Sequence, residues 1–342
     1  REKQRNIMVN VPQFQTDEVI LGPYLGSGAY NDVYEVHSID RRLMTEGQLR
    51  EIPNDFTECV VDAAWDGDVV IKFLHERSRR DEEMFSIGST DLANEAQLLS
   101  HLSSHPNVVR LMGRSVGAFP CDNPEIEGGC FLLLERLTTS LSYTMRQWHE
   151  RESHLTGSEN TKHNKSALLM LCEERLRAVL HLSTAMAYLH ANGIIYRDLK
   201  ADNMGFDKRG TLKLFDLGMA KKLSAASMDD RFILSGHLGD SRYMSPESRT
   251  FQPYGFKSDV YSFGVLAHEI LGPSFSTHKN LASILSACRR HEPSDRPSMD
   301  RVMEAVEQIW MHLRSSIDEL TVRPVSLSSQ QQQQQRHDRW SP

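Results

Sequence analysis

Four groups of residues carry side chains suited to handling a phosphorylated ligand. The densest is Tyr196-Arg197-Asp198-Leu199-Lys200-Ala201-Asp202-Asn203, followed beyond a turn at Lys208-Arg209-Gly210 by Asp216-Leu217-Gly218. Carboxylates at 198 and 216 with an amide at 203 could gather Mg²⁺ and orient a hydroxyl. That ion prefers oxygen ligands and takes the remainder from phosphates and water. Upstream, Gly26-Ser27-Gly28-Ala29-Tyr30-Asn31-Asp32-Val33 offers backbone amides that can approach phosphate oxygens with no Cβ in the way. Val69-Val70-Ile71-Lys72 ends an apolar stretch on an ammonium group, and Glu95 falls where it could pair with Lys72 and hold it against a polyphosphate. Each group has an ordinary alternative. Glycine turns between strands are mostly hairpins, and a lysine ending a strand usually sends its head to water. An isolated Asp or Asn often closes a turn. Their joint occurrence in this order has no such alternative.

These residues need elements to position them. Val19 to Val36 alternates and is broken by Gly22, Gly26 and Gly28, which predicts two strands. Val69 to Leu74 reads as a strand behind a hairpin signal, Asp66-Gly67-Asp68. Thr90 and Asp91 offer a cap for a helix with apolar positions at Leu92, Ala96, Leu99 and Leu102, stopped by Pro106. Strands are predicted near Val108 to Leu111 and over Phe131 to Leu134. Helices follow, over Leu171 to His190 ahead of Asn192-Gly193, over the apolar Val260 to Leu271, and over the amphipathic Met299 to Leu313. Arg1 to Asp17 reads as a loose arm. Ser38 to Phe56 reads as an inserted loop, and Arg151 to Lys165 as a further polar insertion. Six glutamines, Gln330 to Gln335, mark a low-complexity tail with no core to join.

The chain has 342 residues, 39% hydrophobic and 25% charged, with a net charge of −7. That suits two compact lobes and argues against a protein whose main work is gripping nucleic acid. No apolar run approaches the roughly 20 residues needed to span a bilayer, so no membrane partner is expected within this span. The five cysteines are scattered with no C-x-x-C pair, which reads as reduced thiols and an intracellular, cytoplasmic setting. The 15 histidines show no convincing metal-ligand spacing. The chain starts at Arg1 rather than methionine, as a fragment or processed form would.

On the motifs above the sequence resembles the eukaryotic protein kinase family from about Val19 to Leu313. Ser245-Pro246-Glu247, Asp259-Val260-Tyr261-Ser262-Phe263-Gly264 and Asp295-Arg296-Pro297 strengthen the likeness, most of all to the tyrosine-kinase-like branch of Ser/Thr kinases. The resemblance implies an α+β, bilobal fold: a small β-rich N-lobe with one key helix (residues 19–137) and a larger, mainly helical C-lobe (138–313). An arm (1–18) and a Gln-rich tail (314–342) would flank it. It implies ATP and Mg²⁺ as cofactors, protein substrates, and transfer of the γ-phosphoryl group to Ser/Thr hydroxyls. An upstream activating kinase would be a further partner. Gly26 and Gly28 would cover the phosphates, with Leu25, Ser27, Val33 and Val70 beside the nucleotide. Lys72 would bind the α- and β-phosphates while held by Glu95. Asp198 would accept the hydroxyl proton, Lys200 steady the γ-phosphate, and Asn203 and Asp216 hold the metal. Leu134 would be the gatekeeper, and Glu135 to Leu137 the hinge meeting adenine. Glu247 and Arg296 would form a buried pair costing about 3 to 5 kcal/mol to break from one side. The rival from another class is a pseudokinase scaffold that regulates a partner by contact.

Several positions depart from the family pattern. Tyr196 and Leu217 replace the usual histidine and phenylalanine and should pack with Leu99 and Leu111. Phe215 should narrow the pocket behind adenine, Val70 adds bulk above the ring, and Gly205 removes it below, so ATP should bind more weakly than low micromolar. Asp240 stands where a threonine usually receives the substrate residue. The stretch between Leu271 and Arg296 is short. Arg197 implies a phosphate pocket, with Ser224, Ser227, Ser235, Ser241 and Tyr243 as acceptors.

Overall fold

A computed structural model describes residues 11–40, 54–117, 119, 130–157, 162–223, 239–250, 252, 255–275 and 278–322. Their elements, in order, are β1 (Gln13–Phe14), β2 (Val19–Ser27), β3 (Asn31–Ile39), α1 (Asn54–Trp65), β4 (Val69–Leu74), α2 (Glu76–Arg80) and α3 (Glu82–His101). Then come β5 (Leu111–Ser115), β6 (Phe131–Glu135), β7 (Thr139–Ser140), α4 (Leu141–Gly157), α5 (Lys162–Ala191) and β8 (Ile194–Ile195). The last group is β9 (Met204–Phe206), β10 (Leu212–Leu214), β11 (Lys221–Lys222), α6 (Pro246–Arg249), α7 (Phe256–Leu271), α8 (Lys279–Cys288) and α9 (Met299–Val322). The small lobe is a six-stranded sheet in the order β1-β5-β6-β4-β3-β2, and helices dominate the large lobe. This is the α+β, two-lobed fold expected.

The strand pattern follows from burial. Strands β4 and β6 pair antiparallel, Val70 opposite Leu134 and Lys72 opposite Leu132. Both strands are nearly continuous apolar runs because both faces of the sheet are covered. Helix α3 covers one face through Leu92, Ala96 and Leu99, and these join an apolar cluster that continues through Leu111, Leu217 and Tyr196 into the large lobe. The other face packs Val36, Val69, Ile71, Phe131 and Leu133 against Val60, Val61 and Ala64 of α1.

Several expectations are corrected. The described part of the loose arm is anchored: β1 pairs parallel with β5, and Phe14 is fully buried. Ser38 to Phe56 is not one loop, because β3 runs through Ile39 and α1 begins at Asn54; 41–53 lie outside the described residues. Asp66-Gly67-Asp68 joins a helix to a strand rather than two strands, with Gly67 at φ 70° as the left-handed residue after α1. The long helix is capped by Asp81, whose side chain accepts from Met84 N at 2.9 Å, so Thr90 and Asp91 lie inside it. Strand β5 starts at Leu111, where the predicted strand ends; Val108 makes only an isolated bridge to Leu214. Arg151 to Lys165 is largely helical, spanning the end of α4 and the start of α5. Its polarity has a structural use there, since buried Glu152 pairs with buried Arg175 at 2.7 Å. Helix α9 continues to Val322, while the glutamine run lies outside the described residues. Cys59, Cys172 and Cys288 are free thiols, but Cys130 is disulfide-bonded rather than reduced.

Candidate active site

The interlobe cleft contains two polar clusters, each built by a few elements. In the first, β4 presents Lys72 and α3 presents Glu95, both buried, with Lys72 Nζ 2.6 Å from Glu95 Oε2. The same ammonium donates to Asp216 Oδ1 at 2.9 Å. Glu95 is fixed from its other side by Leu217 N, which donates to Oε1 at 3.1 Å. Burial alone would lower the Lys72 pKa, but Asp216 and Glu95 outweigh it and hold the ammonium above its usual value. The Lys72 charge in turn holds the Asp216 carboxyl below the usual carboxylate range. Complete burial pushes Glu95 up against the pull of Lys72.

The second cluster surrounds Asp198, which is 5% exposed. Its Oδ2 accepts from Lys200 Nζ at 2.7 Å and from Asn203 Nδ2 at 2.8 Å. Asn203 Nδ2 also donates to Asp198 O at 3.0 Å. The remaining oxygen, Asp198 Oδ1, is buried and has no hydrogen-bond partner among the described residues. A Cβ at Gly239 would stand 3.4 Å from that atom and 3.0 Å from Arg197 O. With φ at 98°, this glycine lets the incoming loop pass close to the carboxylate. Phe215 N donates to Asn203 O at 3.0 Å and Tyr196 Oη donates to Phe215 O at 2.6 Å, so the two clusters share one backbone frame.

That frame is strained. Arg197 and Asp216 are the non-glycine residues with positive φ among the described residues, at 73° and 60°. Such backbone costs about 1 to 3 kcal/mol per residue and persists only where neighbours over-determine it. Here Asp259 of α7, 2% exposed, accepts from Tyr196 N at 2.8 Å, Arg197 N at 2.9 Å and His190 Nε2 at 3.0 Å. Arg197 Nε also donates to Met219 O. Asn94, beside Glu95, donates to Leu217 O, Gly218 O and Ala220 O at 3.3, 2.7 and 2.7 Å.

The other residues singled out from sequence fall around the cleft. Leu25, Gly26 and Ser27 end β2 at the edge of the sheet, Gly28 opens the turn to β3, and Val33 pairs opposite Lys72. Val70 and Leu134 are buried side by side. Glu135 turns its carboxylate away, to Lys213 Nζ at 2.9 Å and Arg110 N at 2.8 Å. Below, a Cβ on Gly205 would stand 3.0 Å from Leu137 Cδ1, so Leu137 takes up the volume that a larger residue at 205 would fill. Asp240 is bound bidentately by Arg242, and Tyr243 is buried with its hydroxyl on Glu269 at 2.8 Å. Ser224, Ser227 and Ser235 lie outside the described residues, while Ser241 is exposed.

The protein kinase domain model matches residues 58–309, well over half of the chain. The chain belongs to the protein kinase family. The match begins inside α1, so the Gly26 to Gly28 turn precedes it. A probable serine/threonine-protein kinase, gdt4, of Dictyostelium discoideum is 24% identical over 325 residues, 86% of this chain and 16% of that protein. An Arabidopsis thaliana leaf rust 10 disease-resistance locus receptor-like protein kinase-like 1.3 is 28% identical over 278 residues, 74% of this chain and 36% of that one. The tyrosine kinase receptor Cad96Ca of Drosophila melanogaster is 26% identical over 254 residues, 67% of this chain and 31% of its own length. The chain therefore spans about a third or less of the length of these relatives. Membership supports use of ATP with a divalent metal. No helix among the described residues is long and apolar enough to cross a membrane.

Sequence reasoning missed Asn94 and His75. His75 Nδ1 accepts from Ser78 N at 2.9 Å, which leaves Nε2 to donate to Ala29 O at 3.1 Å; its own N donates to Tyr30 O at 3.0 Å. One histidine thus pins the tip of the glycine turn to the start of α2. The signal was faint, a histidine three residues before a small polar residue at a helix start.

Proposed function

We propose that this kinase domain transfers the γ-phosphoryl group of ATP, with Mg²⁺, to Ser/Thr hydroxyls of protein substrates. The observation that carries the reading is the buried Asp198 Oδ1, without a partner among the described residues, beside an Oδ2 fixed by Lys200 and Asn203. A carboxylate locked on one oxygen and open on the other is ready to accept a hydroxyl proton. Lys200, already beside that carboxylate, would place positive charge on the transferring group. Lys72, kept ionised by Glu95, would hold the α- and β-phosphates. The glycine turn would cover them, and Leu25, Ser27, Val33, Val70, Leu134, Glu135 and Leu137 would enclose the nucleoside.

The donor set fits a hard cation. Asp216 is an ionised carboxylate and 43% of its side chain is exposed, so it can offer oxygen to the cleft. The Asn203 amide nitrogen is committed to Asp198, which leaves its carbonyl oxygen as a ligand. Two protein oxygens suit Mg²⁺, which completes its shell with phosphate and water. Bound there, the ion would neutralise charge on the β- and γ-oxygens. Ser/Thr acceptors are supported by Lys200 and by the serine/threonine-protein kinase names among relatives. An intracellular setting belongs to this reading through the supply of ATP and Mg²⁺ alone, since the disulfide at Cys130 removes the argument from reduced thiols.

The test is transfer of labelled γ-phosphate to a generic protein substrate, followed by phosphoamino-acid analysis. Metal-dependent labelling of serine or threonine that is lost in Asp216→Asn is expected. Absence of transfer in both forms, with intact folding, would favour the scaffold alternative, and label on tyrosine would overturn the acceptor class.

A further inference from the structure

Behind the hinge, on the side away from the two catalytic clusters, both lobes contribute to an open cavity of about 710 Å³. That volume lies within the range of ligand-binding clefts. Its floor is apolar, with Leu102, Val108, Leu111 and Met112 among the residues lining it. Its walls are cationic. Arg110, Arg136, Lys208, Arg209 and Lys213 line it against three carboxylates, Asp68, Glu135 and Asp207. Three of the cations are already neutralised: Arg136 by Glu35 at 2.8 Å, Lys213 by Glu135 at 2.9 Å, and Lys208 by Asp68. Arg110 and Arg209 are exposed, and neither guanidinium has a partner among the described residues.

The backbones that carry these two arginines are held in place. Arg110 N donates to Glu135 Oε1 at 2.8 Å, and Arg110 O accepts from Glu135 N at 3.1 Å. Arg209 N donates to Asp207 Oδ1 at 2.9 Å, closing the turn between β9 and β10. Two forked donors, one from each lobe, thus stand over an apolar floor. Guanidinium groups bind carboxylates bidentately, and arginine clusters are a standard means of reading acidic peptide motifs. A lone inorganic anion would leave the floor uncovered, and a nucleic acid would meet only two free cations on a chain of net charge −7.

We propose that this cavity is a docking site for an acidic peptide segment of a partner protein. Two carboxylates of the segment would engage Arg110 and Arg209, and an apolar residue between them would enter the cavity. The site is separate from the catalytic clusters, so the partner would be held while the cleft stays open to its substrates.

The experiment is a selection of displayed random peptides on the full chain, read out as binding. The selected peptides are then synthesised and their affinities compared for the native chain, Arg110→Glu/Arg209→Glu, and a control of equal charge change, Arg77→Glu/Arg80→Glu on α2. All four positions are exposed, and a thermal melt checks that each form folds. The expected result is enrichment of peptides that combine at least two carboxylates with an apolar residue. Their affinity should fall roughly tenfold or more on charge reversal at 110 and 209, the scale of two attractive contacts made repulsive, and hold in the control. Enrichment of neutral or basic peptides, no enrichment at all, or equal losses in both variants would overturn the proposal. Because binding is the readout, a chain that proved catalytically silent would leave this result unaffected.

Discussion

Among the described residues Asp198 is held by two donors on one oxygen and none on the other, and that asymmetry makes a specific claim about catalysis. Asp198→Asn keeps the size of the group and its contact with Lys200 but removes the proton acceptor. Transfer should fall by roughly 10² to 10⁴-fold, while ATP affinity, set by groups elsewhere in the cleft, should change little. Single-turnover rates beside a nucleotide titration check this, and a rate close to that of the native chain would remove Asp198 from the base role. Residues of this kind were legible in the sequence because charged side chains at fixed spacing have few other reasons to recur together. Asn94 was not legible, since it acts on backbone carbonyls at Leu217, Gly218 and Ala220, more than 120 positions away. Gly205 was legible as a departure, but its consequence was not. Leu137 reaches into the space, and a Cβ there would also stand 2.9 Å from Thr139 O.

At the scale of elements, the sequence was clearest where one face is apolar and least clear where an element is short or its contacts are distant. Val60, Val61 and Ala64 have helical spacing, but that spacing starts only past Phe56, and the stretch before it reads as a loop because of Gly47 and Pro53. Strand β1 spans two residues, too short for any period, and its strength lies in one side chain. Phe14 fills the space over Gly113, where a Cβ would stand 2.6 Å from Phe14 Cε2. Phe14→Ala should therefore cost about 3 to 5 kcal/mol, measured by denaturant unfolding, and a cost below about 1 kcal/mol would show that the anchor is dispensable. His181 tests the contact between α5 and β10, where its Nδ1 accepts from Leu212 N at 3.1 Å. Burial, then Arg177, push its pKa from 6.5 down to about 4. Below pH 6.5 the unfolded chain therefore takes up a proton that the folded chain refuses until about pH 4. Stability from this group is intact above that window and lost as pH falls through it, by about 3 kcal/mol in all. His181→Gln retains an acceptor without titrating, so unfolding midpoints measured across the window should flatten; an unchanged slope would place the acid sensitivity elsewhere.

For the whole molecule, the two lobes are not separate bodies joined at a hinge, because one apolar cluster runs from Leu99 and Leu134 through Leu111, Leu217 and Tyr196 to Phe263 and Val302. Ahead of α6 that cluster includes Tyr243, and α6 itself is fastened to the large lobe by a charge pair. Arg296, 2% exposed, grips Glu247 with NH1 to Oε1 at 2.6 Å and NH2 to Oε2 at 2.8 Å. Burial would raise the Glu247 carboxyl, and the hydrogen bonds from Arg296, Ser245, Ser258 and the backbone together more than offset this, holding it below the usual range. The guanidinium does further work that the carboxylate does not: it donates to Arg290 O, Lys257 O and His291 O at 2.8, 2.8 and 2.7 Å. The two ends of the pair should therefore not be equivalent. Removing Glu247 leaves the cation solvated by three carbonyls, whereas removing Arg296 strands both a buried carboxylate and those carbonyls. Arg296→Ala should cost about 3 to 5 kcal/mol, and Glu247→Ala less by about 1 to 2 kcal/mol, the scale of buried acceptors left unmade. Unfolding free energies of the two variants decide it. If the costs were equal, or if Glu247→Ala cost more, the carbonyl contacts would contribute nothing and the ion pair alone would carry the attachment.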